Sequence, residues 1–240
     1  TDKDNIIVNE EVLSKIKNLP EAEMFSRYFL LQKRTGLLKS WIHECDESER
    51  VHGRVLTLRT VTGRMAHHSP NMAQVPAVYS PYGKECRSLW TVSNPETHQL
   101  VGTDASGLEL RCLAHYMKDA SFTNEVLTGD VHTANQKAAG LKTRDQAKTF
   151  IYAFLYGAGA AKIGKVVGRG AGAGQQLIKK FLTNMPALRV LRSNIQEAAK
   201  EGNIKGLDGR RLQIRHEHAA LNTLLQGAGA IVCKQWLVEM

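Results

Sequence analysis

One acidic residue stands where a short apolar segment gives way to a helical pattern. Leu100-Val101 reads as the start of a strand that runs to Asp104, and the apolar spacing from Leu108 to Tyr116 predicts a helix after it. A carboxylate held at the end of a strand can ligate a divalent cation, and Mg²⁺ takes one or two such carboxylates with phosphate and water oxygens. Asp104 is therefore a candidate metal ligand. The same residue also fits an N-cap of the following helix.

A second group of polar residues repeats every four positions. It consists of Arg144, Lys148, Tyr152 and Tyr156, followed by Gly157. On a helix this spacing gives one stripe, and the rise from Arg144 to Tyr152 is about 12 Å at ~1.5 Å per residue, the length of a nucleoside triphosphate. Two cations suit phosphates, and an aromatic ring beyond them suits a base or sugar. Taken alone, a basic and aromatic helix face is more often a solvated surface with tyrosines in the core.

A third group, His218, Asn222 and Gln226, has the same spacing in a segment of helical pattern from His218 to Met240. Side chains that both donate and accept hydrogen bonds suit the DNA minor groove, where every base pair presents acceptors. A polar exposed helix face is the alternative interpretation.

The charge balance favours a polyanionic partner such as nucleic acid. The 240 residues carry 32 Lys and Arg against 23 Asp and Glu, a formal net charge of +9. Between positions 142 and 180 only Asp145 opposes the basic residues, so an anion-facing surface is predicted there. These basic residues are Lys142, Arg144, Lys148, Lys162, Lys165, Arg169, Lys179 and Lys180.

Cysteine spacing and hydropathy narrow the class of protein. Four cysteines without a CxxC pair predict reduced thiols and argue against a zinc or redox site. No run of about 18 apolar residues is present to span a membrane, and the first residues lack the pattern of a signal peptide. The predicted location is the cytoplasm, that of the host if the source is a virus, with no membrane partner.

Hydrophobic periodicity predicts a mainly helical chain with some strand. Strands and loops are predicted from Val51 to Pro81, and the seven glycines from Gly157 to Gly174 predict either loops or closely packed backbone. Helices are predicted on both sides of a break at Asn18–Pro20, over Asp145–Tyr156, Gln175–Leu182 and Pro186–Ala199, with a turn at Gly206–Gly209.

Together the three polar groups resemble family A (DNA polymerase I type) DNA polymerases, and most of all the replicative polymerases of short-tailed phages. Asp104–Arg111 resembles motif A of that family, and Arg144–Gly157 resembles motif B, with its pattern Arg-x3-Lys-x3-Tyr-x3-Tyr-Gly. The likeness covers nearly the whole chain. It also includes Thr62–Arg64, Pro70–Pro76, Gly129–Thr133, Gly206–Arg210 and His218–Gln226.

The resemblance implies a role for each matching residue in nucleotide binding. Asp104 and the carbonyl of Ala105 would bind Mg²⁺, of which the complete family site holds two ions. The triphosphate would contact His132, Arg144 and Lys148, and Lys148 would also donate a proton to pyrophosphate.

The resemblance likewise implies how sugar and DNA are bound. Glu109 and Tyr152 would form the wall that excludes a 2′-hydroxyl. His218 stands where many relatives have Arg. Primer and template would contact Arg64, Arg87, Arg111, Tyr156, Gly157, His218, Asn222 and Gln226.

The architecture implied is α+β, with a small antiparallel palm sheet formed by the segments around Leu56 and Asp104 and a helical fingers subdomain. The expected activity is template-directed transfer of deoxynucleotides from dNTPs to a primer 3′-OH. The implied parts are the base of the thumb (1–50), the first part of the palm with motif A (51–118), the fingers with motif B (119–206) and a return to the palm (207–240).

One signature of the family is missing. No His-Asp-Glu occurs in the sequence, so the second set of palm carboxylates is not present. The sequence therefore looks like a portion of a polymerase truncated at both ends. We expect it to be inactive alone and to need a further palm segment in cis or in trans, and the resemblance admits a processivity factor as another partner.

Four rival interpretations are weaker. A single-subunit RNA polymerase shares the palm and fingers plan, but Glu109 beside the sugar argues against ribonucleotides. A DNA-binding module without catalysis would bind duplex DNA with no metal-dependent nucleotide binding. The segment Gly159–Val166 resembles a P-loop, but it ends without the hydroxyl that Mg²⁺ needs and follows a predicted helix rather than a strand. The pair His67-His68 lacks the spacing of a metal site.

Overall fold

The computed structural model describes residues 8–13, 16 and 18–240. The chain divides into two compact units, 1–56 with 66–101 and 57–65 with 102–240. The predicted α+β class is confirmed, because two antiparallel two-stranded sheets accompany a mainly helical chain. No helix of the described ranges is both long and apolar enough to cross a membrane. All four cysteines are free thiols.

In the first unit, helices α1 and α2 lie on either side of the predicted break. Helix α2 carries Pro20 at its first turn, where the missing amide hydrogen costs nothing. Trp41 near its end is buried against Trp90, with ring centroids 4.9 Å apart in an edge arrangement. The elements of this unit are α1 (Glu10–Leu13), α2 (Pro20–His43), β1 (Arg54–Leu56), β2 (Ala66–His68) and α3 (Gly83–Ser88).

The predicted strand that leads to Asp104 is wrong. The sheet of the first unit is the antiparallel pair of β1 and β2, in which Val55 lies opposite His67, and no strand is found from 99 to 105. Leu100 and Val101 are 70 % and 77 % exposed, so they neither pair nor pack on the residues described. The apolar pair therefore lacks the neighbouring strand that a sheet requires.

The second unit is a helical assembly around one core. Its largest fully buried side chains include Phe150, Phe181, Leu113 and Ile163, which come from four different helices. The elements are α4 (Leu108–Met117), α5 (Ala120–Leu127), α6 (Val131–Ala139), α7 (Arg144–Leu155), α8 (Ala160–Val166), α9 (Ala171–Asn184), α10 (Pro186–Ala199), β3 (Asn203–Lys205), β4 (Arg211–Gln213) and α11 (Ala220–Glu239).

The glycine-rich segment is closely packed backbone, the second of the two predicted alternatives. A Cβ on Gly174 would overlap the carbonyl oxygen of Ala160, and a Cβ on Gly164 would overlap that of Gly170. Glycine at these positions lets α8 and α9 approach each other. Because α8 follows α7 rather than a strand, the resemblance of this segment to a P-loop has no structural basis.

Two glycines of α9 are expected to respond oppositely to the same substitution. Gly174→Ala should lower the free energy of unfolding by about 1–3 kcal/mol, because the new methyl group meets backbone that cannot move aside. Gly172→Ala meets nothing within 4 Å and should raise it by roughly 0.5–1 kcal/mol. Urea unfolding of both variants measures the difference. Equal stability of the two would contradict the packing described.

The last strands form a hairpin around the predicted turn. The amide of Gly206 donates to the carbonyl of Arg210 at 2.8 Å, and Gly209 has a φ of 84°, which glycine adopts without strain. The chain then reaches α11 through a 3-10 turn at 217–219. His218 therefore precedes α11 rather than belonging to it, which corrects the predicted start of that helix.

Candidate functional site

Asp104 does not cap the helix that follows it. Helix α4 begins after Gly107, which has a φ of 61°, and no side chain accepts a hydrogen bond from its first amides. Arg111 instead folds back, its Nε donating to the carbonyl of Ser106 at 2.8 Å. Asp104 is exposed and Ala105 is half-buried. The carboxylate of Asp104 is thus accessible to a ligand, as the metal interpretation requires.

Helix α7 points its polar stripe away from the core. Thr143 caps the helix, its hydroxyl accepting from the amide of Gln146 at 3.2 Å, so that Arg144 is the first helical residue. Arg144 and Lys148 are exposed, whereas the opposite face is buried. Of the two tyrosines in the stripe, Tyr152 is half-buried and packs against the core, whereas the next is exposed.

A hydrogen bond joins the helix of motif A to the end of α7. The hydroxyl of Tyr156 donates to Oε1 of Glu109 at 3.3 Å, and the ring of Tyr156 lies nearly parallel to that of Tyr152, with centroids 6.3 Å apart. Burial and the negative charge of Glu109 raise the pKa of both phenols, and the charge of Arg64 partly opposes this at Tyr156. Both phenols are therefore protonated donors at neutral pH.

His132 lies beside the same stripe. Its ring centroid is 6.1 Å from that of Tyr152, and it is near enough to Arg144 and Lys148 for their charges to act on it. Burial, together with these two cations, lowers the pKa of His132 against the opposing effect of Asp130. The imidazole is consequently neutral at pH 7, and its buried Nδ1 has no hydrogen-bond partner among the described residues.

Asp130 was not predicted as a site residue, although it is central to this arrangement. It is the N-cap of α6 and also pairs with Arg144, whose Nε lies 2.7 Å from Oδ2 and whose Nη2 lies 3.1 Å from Oδ1. An Asp directly before a helical pattern is a typical N-cap signal, so its capping role was predictable. Its contact with α7 depends on tertiary packing, which the sequence pattern does not indicate.

The third polar group approaches the end of α7. Gly157 has a φ of 74°, and a Cβ there would come within 2.6 Å of the carbonyl oxygen of His218. Asn222 and Gln226 are half-buried on α11, and neither side chain hydrogen-bonds within the described part of the chain. Their amide groups thus remain available to a ligand.

The second unit contains every predicted site residue except one. Arg87 belongs to the first unit, where its Nε donates to the carbonyl of Pro76 at 2.8 Å. Direct contacts or charge effects connect the largest group, which is Arg64, Glu109, His132, Arg144, Lys148, Tyr152 and Tyr156. Gly157 and His218 touch each other beside it.

Comparison with known proteins decides the family. The family model described as DNA polymerase family A matches residues 1–240. The chain belongs to DNA polymerase family A. The DNA-directed DNA polymerases of Enterobacteria phage T3 and Escherichia phage T7 are each 44 % identical to it, over all of this chain and 39 % of their own length. This family A chain therefore spans about two fifths of the length of the curated relatives it matches.

A solved structure agrees on the fold. The POL domain of Pol1 from M. smegmatis, in complex with DNA primer-template and dNTP, superposes with a TM-score of 0.79 at 19 % identity. The match covers 98 % of this family A chain and 45 % of the other chain. Members of family A are metal-dependent. Among the residues described here, no three His, Cys, Asp or Glu side chains are grouped to hold a metal ion.

Proposed function

We propose that this chain forms the nucleotide-selecting part of a DNA polymerase, which transfers deoxynucleotides from dNTPs to a primer 3′-OH in template order. The observation that carries the proposal is the hydrogen bond between Glu109 and Tyr156. It brings motif A beside motif B and its cations. One nucleotide would then contact both motifs, its sugar near Glu109 and its phosphates near the start of α7.

The triphosphate is assigned to the cationic end of the stripe. Arg144 retains three guanidinium N–H groups beyond the two that bond Asp130, and Lys148 has no carboxylate partner among the described residues. Positive charge at these positions stabilises the negative charge that develops on the phosphates during transfer. Lys148 is further assigned as proton donor to the departing pyrophosphate.

The metal is assigned to the oxygen ligands that precede α4. The carboxylate of Asp104 and the carbonyl of Ala105 are hard ligands of the kind Mg²⁺ prefers, and the exposure of Asp104 fits that role. Two bound Mg²⁺ ions would supply activation of the primer 3′-OH and stabilisation of the leaving group. The second carboxylate that would bind the two Mg²⁺ ions is assigned to a palm segment, in cis or in trans, outside the described residues. We therefore expect no primer extension by the 240-residue chain alone.

DNA is assigned to the region where the end of α7 approaches the turn that precedes α11. Gly157 and His218 are in contact there, and the free amides of Asn222 and Gln226 suit the acceptors common to all base pairs. Arg64 acts on Tyr156 beside the same region, and Arg87 and Arg111 are further assigned to the primer-template. The exposed cations from Lys142 to Lys180 add attraction that does not depend on sequence.

A chimeric enzyme tests the proposed activity. The matching segment of the phage T3 polymerase is replaced by this chain, and primer extension is measured with Mg²⁺ and all four dNTPs. The proposal predicts extension in template order by this chimera. A DNA-binding module predicts duplex binding by the chimera but no extension. Duplex binding without extension would therefore contradict the proposal.

The pKa of His132 gives a prediction about pH. Because that pKa is lowered in the free protein, a bound triphosphate should raise it again and favour the protonated ring. Affinity for a matched dNTP should therefore rise by about threefold as pH falls from roughly 8 to 6.5, since binding takes up part of a proton. Equilibrium titrations of the chain bound to primer-template measure the slope. His132→Gln should flatten it, and an unchanged slope in that variant would exclude this residue.

A further inference from the structure

One carboxylate connects two of the residues assigned to the triphosphate. Asp130 accepts hydrogen bonds from the amide of His132 at 3.1 Å and from the hydroxyl of Thr133 at 2.7 Å, both in the first turn of α6. It also accepts two from Arg144, at 2.7 and 3.1 Å, at the first position of α7. The same two oxygens therefore fix the start of α6 and the guanidinium that begins α7.

We propose that Asp130 is a positioning residue, which holds Arg144 and His132 in one arrangement for the triphosphate of the incoming nucleotide. The assignment rests on the proposed function, because it assumes that these two side chains meet phosphate. A two-point contact fixes both the position and the plane of the guanidinium, which a single contact would leave free to rotate. The Arg144 side chain then loses less conformational freedom when it binds phosphate.

The solvent exposure of the Asp130–Arg144 ion pair indicates that it affects nucleotide binding more than folding stability. The side chains of Asp130 and Arg144 are 41 % and 51 % exposed, and an ion pair so accessible to water contributes little to folding. The carboxylate of Asp130 nevertheless has a fixed orientation toward Arg144, since it is itself held by the two donors of α6. Its expected effect is thus on nucleotide binding and much less on unfolding.

The groups that surround Asp130 favour the binding of an anion. The amino ends of α6 and α7 both carry the positive end of the helix dipole, and His132, Arg144 and Lys148 add polar or cationic groups there. Among the described residues, Asp130 supplies the one carboxylate that hydrogen-bonds to this group. It leaves three N–H groups of Arg144 unbonded, so the residue orients the guanidinium without using all of its donors.

A purely structural role is the alternative. Asp130 is the N-cap of α6, and loss of a cap weakens a helix whatever its neighbours are. Asp130→Asn separates the two roles, because the asparagine carbonyl can still accept from the amide of His132, whereas its NH₂ group cannot accept from Arg144. The effect of this variant should therefore depend on the presence of the arginine.

The test is a double-mutant cycle in the phage T3 chimera that contains this chain, bound with Mg²⁺ to a primer-template that cannot be extended. Affinity for the matched dNTP is measured in the unaltered chimera, Asp130→Asn, Arg144→Ala and the double variant. Asp130→Asn should weaken binding by about tenfold in the unaltered background, because the guanidinium loses its fixed orientation. With Arg144→Ala present it should change binding by less than about twofold, since no guanidinium remains to be positioned.

Further measurements complete the test. Thr133→Val removes one hydrogen-bond donor to Asp130 but keeps the N-cap of α6 and the arginine, so it should weaken matched dNTP binding by about threefold. The thermal unfolding temperatures of this variant and of Asp130→Asn should stay close to that of the unaltered chain. Equal losses from Asp130→Asn in both backgrounds, or none in the first, would overturn the assignment. Failure of the unaltered chimera to bind any dNTP would instead overturn the proposed function and this assignment with it.

Discussion

Asp104→Asn is expected to reduce primer extension by the T3 chimera roughly 10³-fold or more, because a metal ligand supplies several kcal/mol to phosphoryl transfer. Asparagine keeps the size and shape of the side chain and removes its charge. Since Asp104 is exposed and bonds nothing in α4, the fold should be unaffected. Single-turnover extension at saturating dNTP measures the loss directly.

A matched control isolates the effect of Asp104. Glu201→Gln removes an exposed carboxylate from the same unit and should leave extension within about twofold of the unaltered chimera, as surface substitutions usually do. Duplex affinity should be the same in both variants. If Asp104→Asn extended primers as fast as Glu201→Gln, Asp104 would not be a metal ligand.

Glu109→Ala is expected to lower the preference of the chimera for dNTPs over rNTPs by roughly 10²-fold, because it removes the side chain that would fill the space of a 2′-hydroxyl. The hydrogen bond from Tyr156 holds this side chain in place. The ratio of kcat/KM for the two sugars measures the preference. The unaltered chimera should favour dNTPs strongly.

Two further variants distinguish volume from orientation. Glu109→Gln keeps the volume and should keep most of the preference. Tyr156→Phe removes only the hydroxyl that donates to Glu109, so the preference should fall by about tenfold, in line with a hydrogen bond to a charged group. Equal use of both sugars by the unaltered chimera would contradict this role, and would favour an RNA polymerase.

The residues of the site were predictable to the extent that local spacing determines them. Steps of four predicted the stripe on α7, and the structure shows Arg144 and Lys148 exposed on it. The contact of Glu109 with Tyr156 lies beyond such reasoning, because it depends on how α4 and α7 pack. Asp130 was not predicted as a site residue for the same reason, since its role as N-cap is local but its pairing with Arg144 depends on tertiary packing.

Parts of the fold were harder to predict for physical reasons. Leu100 and Val101 read as a strand, but apolar residues form a strand only where a partner strand is present. The strands β3 and β4 have three residues each, too few for an alternating pattern to show. The glycine-rich segment stayed ambiguous because glycine permits both a loop and the close helix packing that Gly174 makes.

The central claim is that motif A and the stripe of α7 bind one nucleotide opposite a template base. The most direct measurement is the affinity of the T3 chimera, with Mg²⁺ on a primer-template that cannot be extended, for the dNTP that matches the template base and for the three that do not. We predict that the matched dNTP binds at least about tenfold more tightly, because only a correct pair places sugar and phosphates on both motifs. Equal affinity for all four would contradict the account.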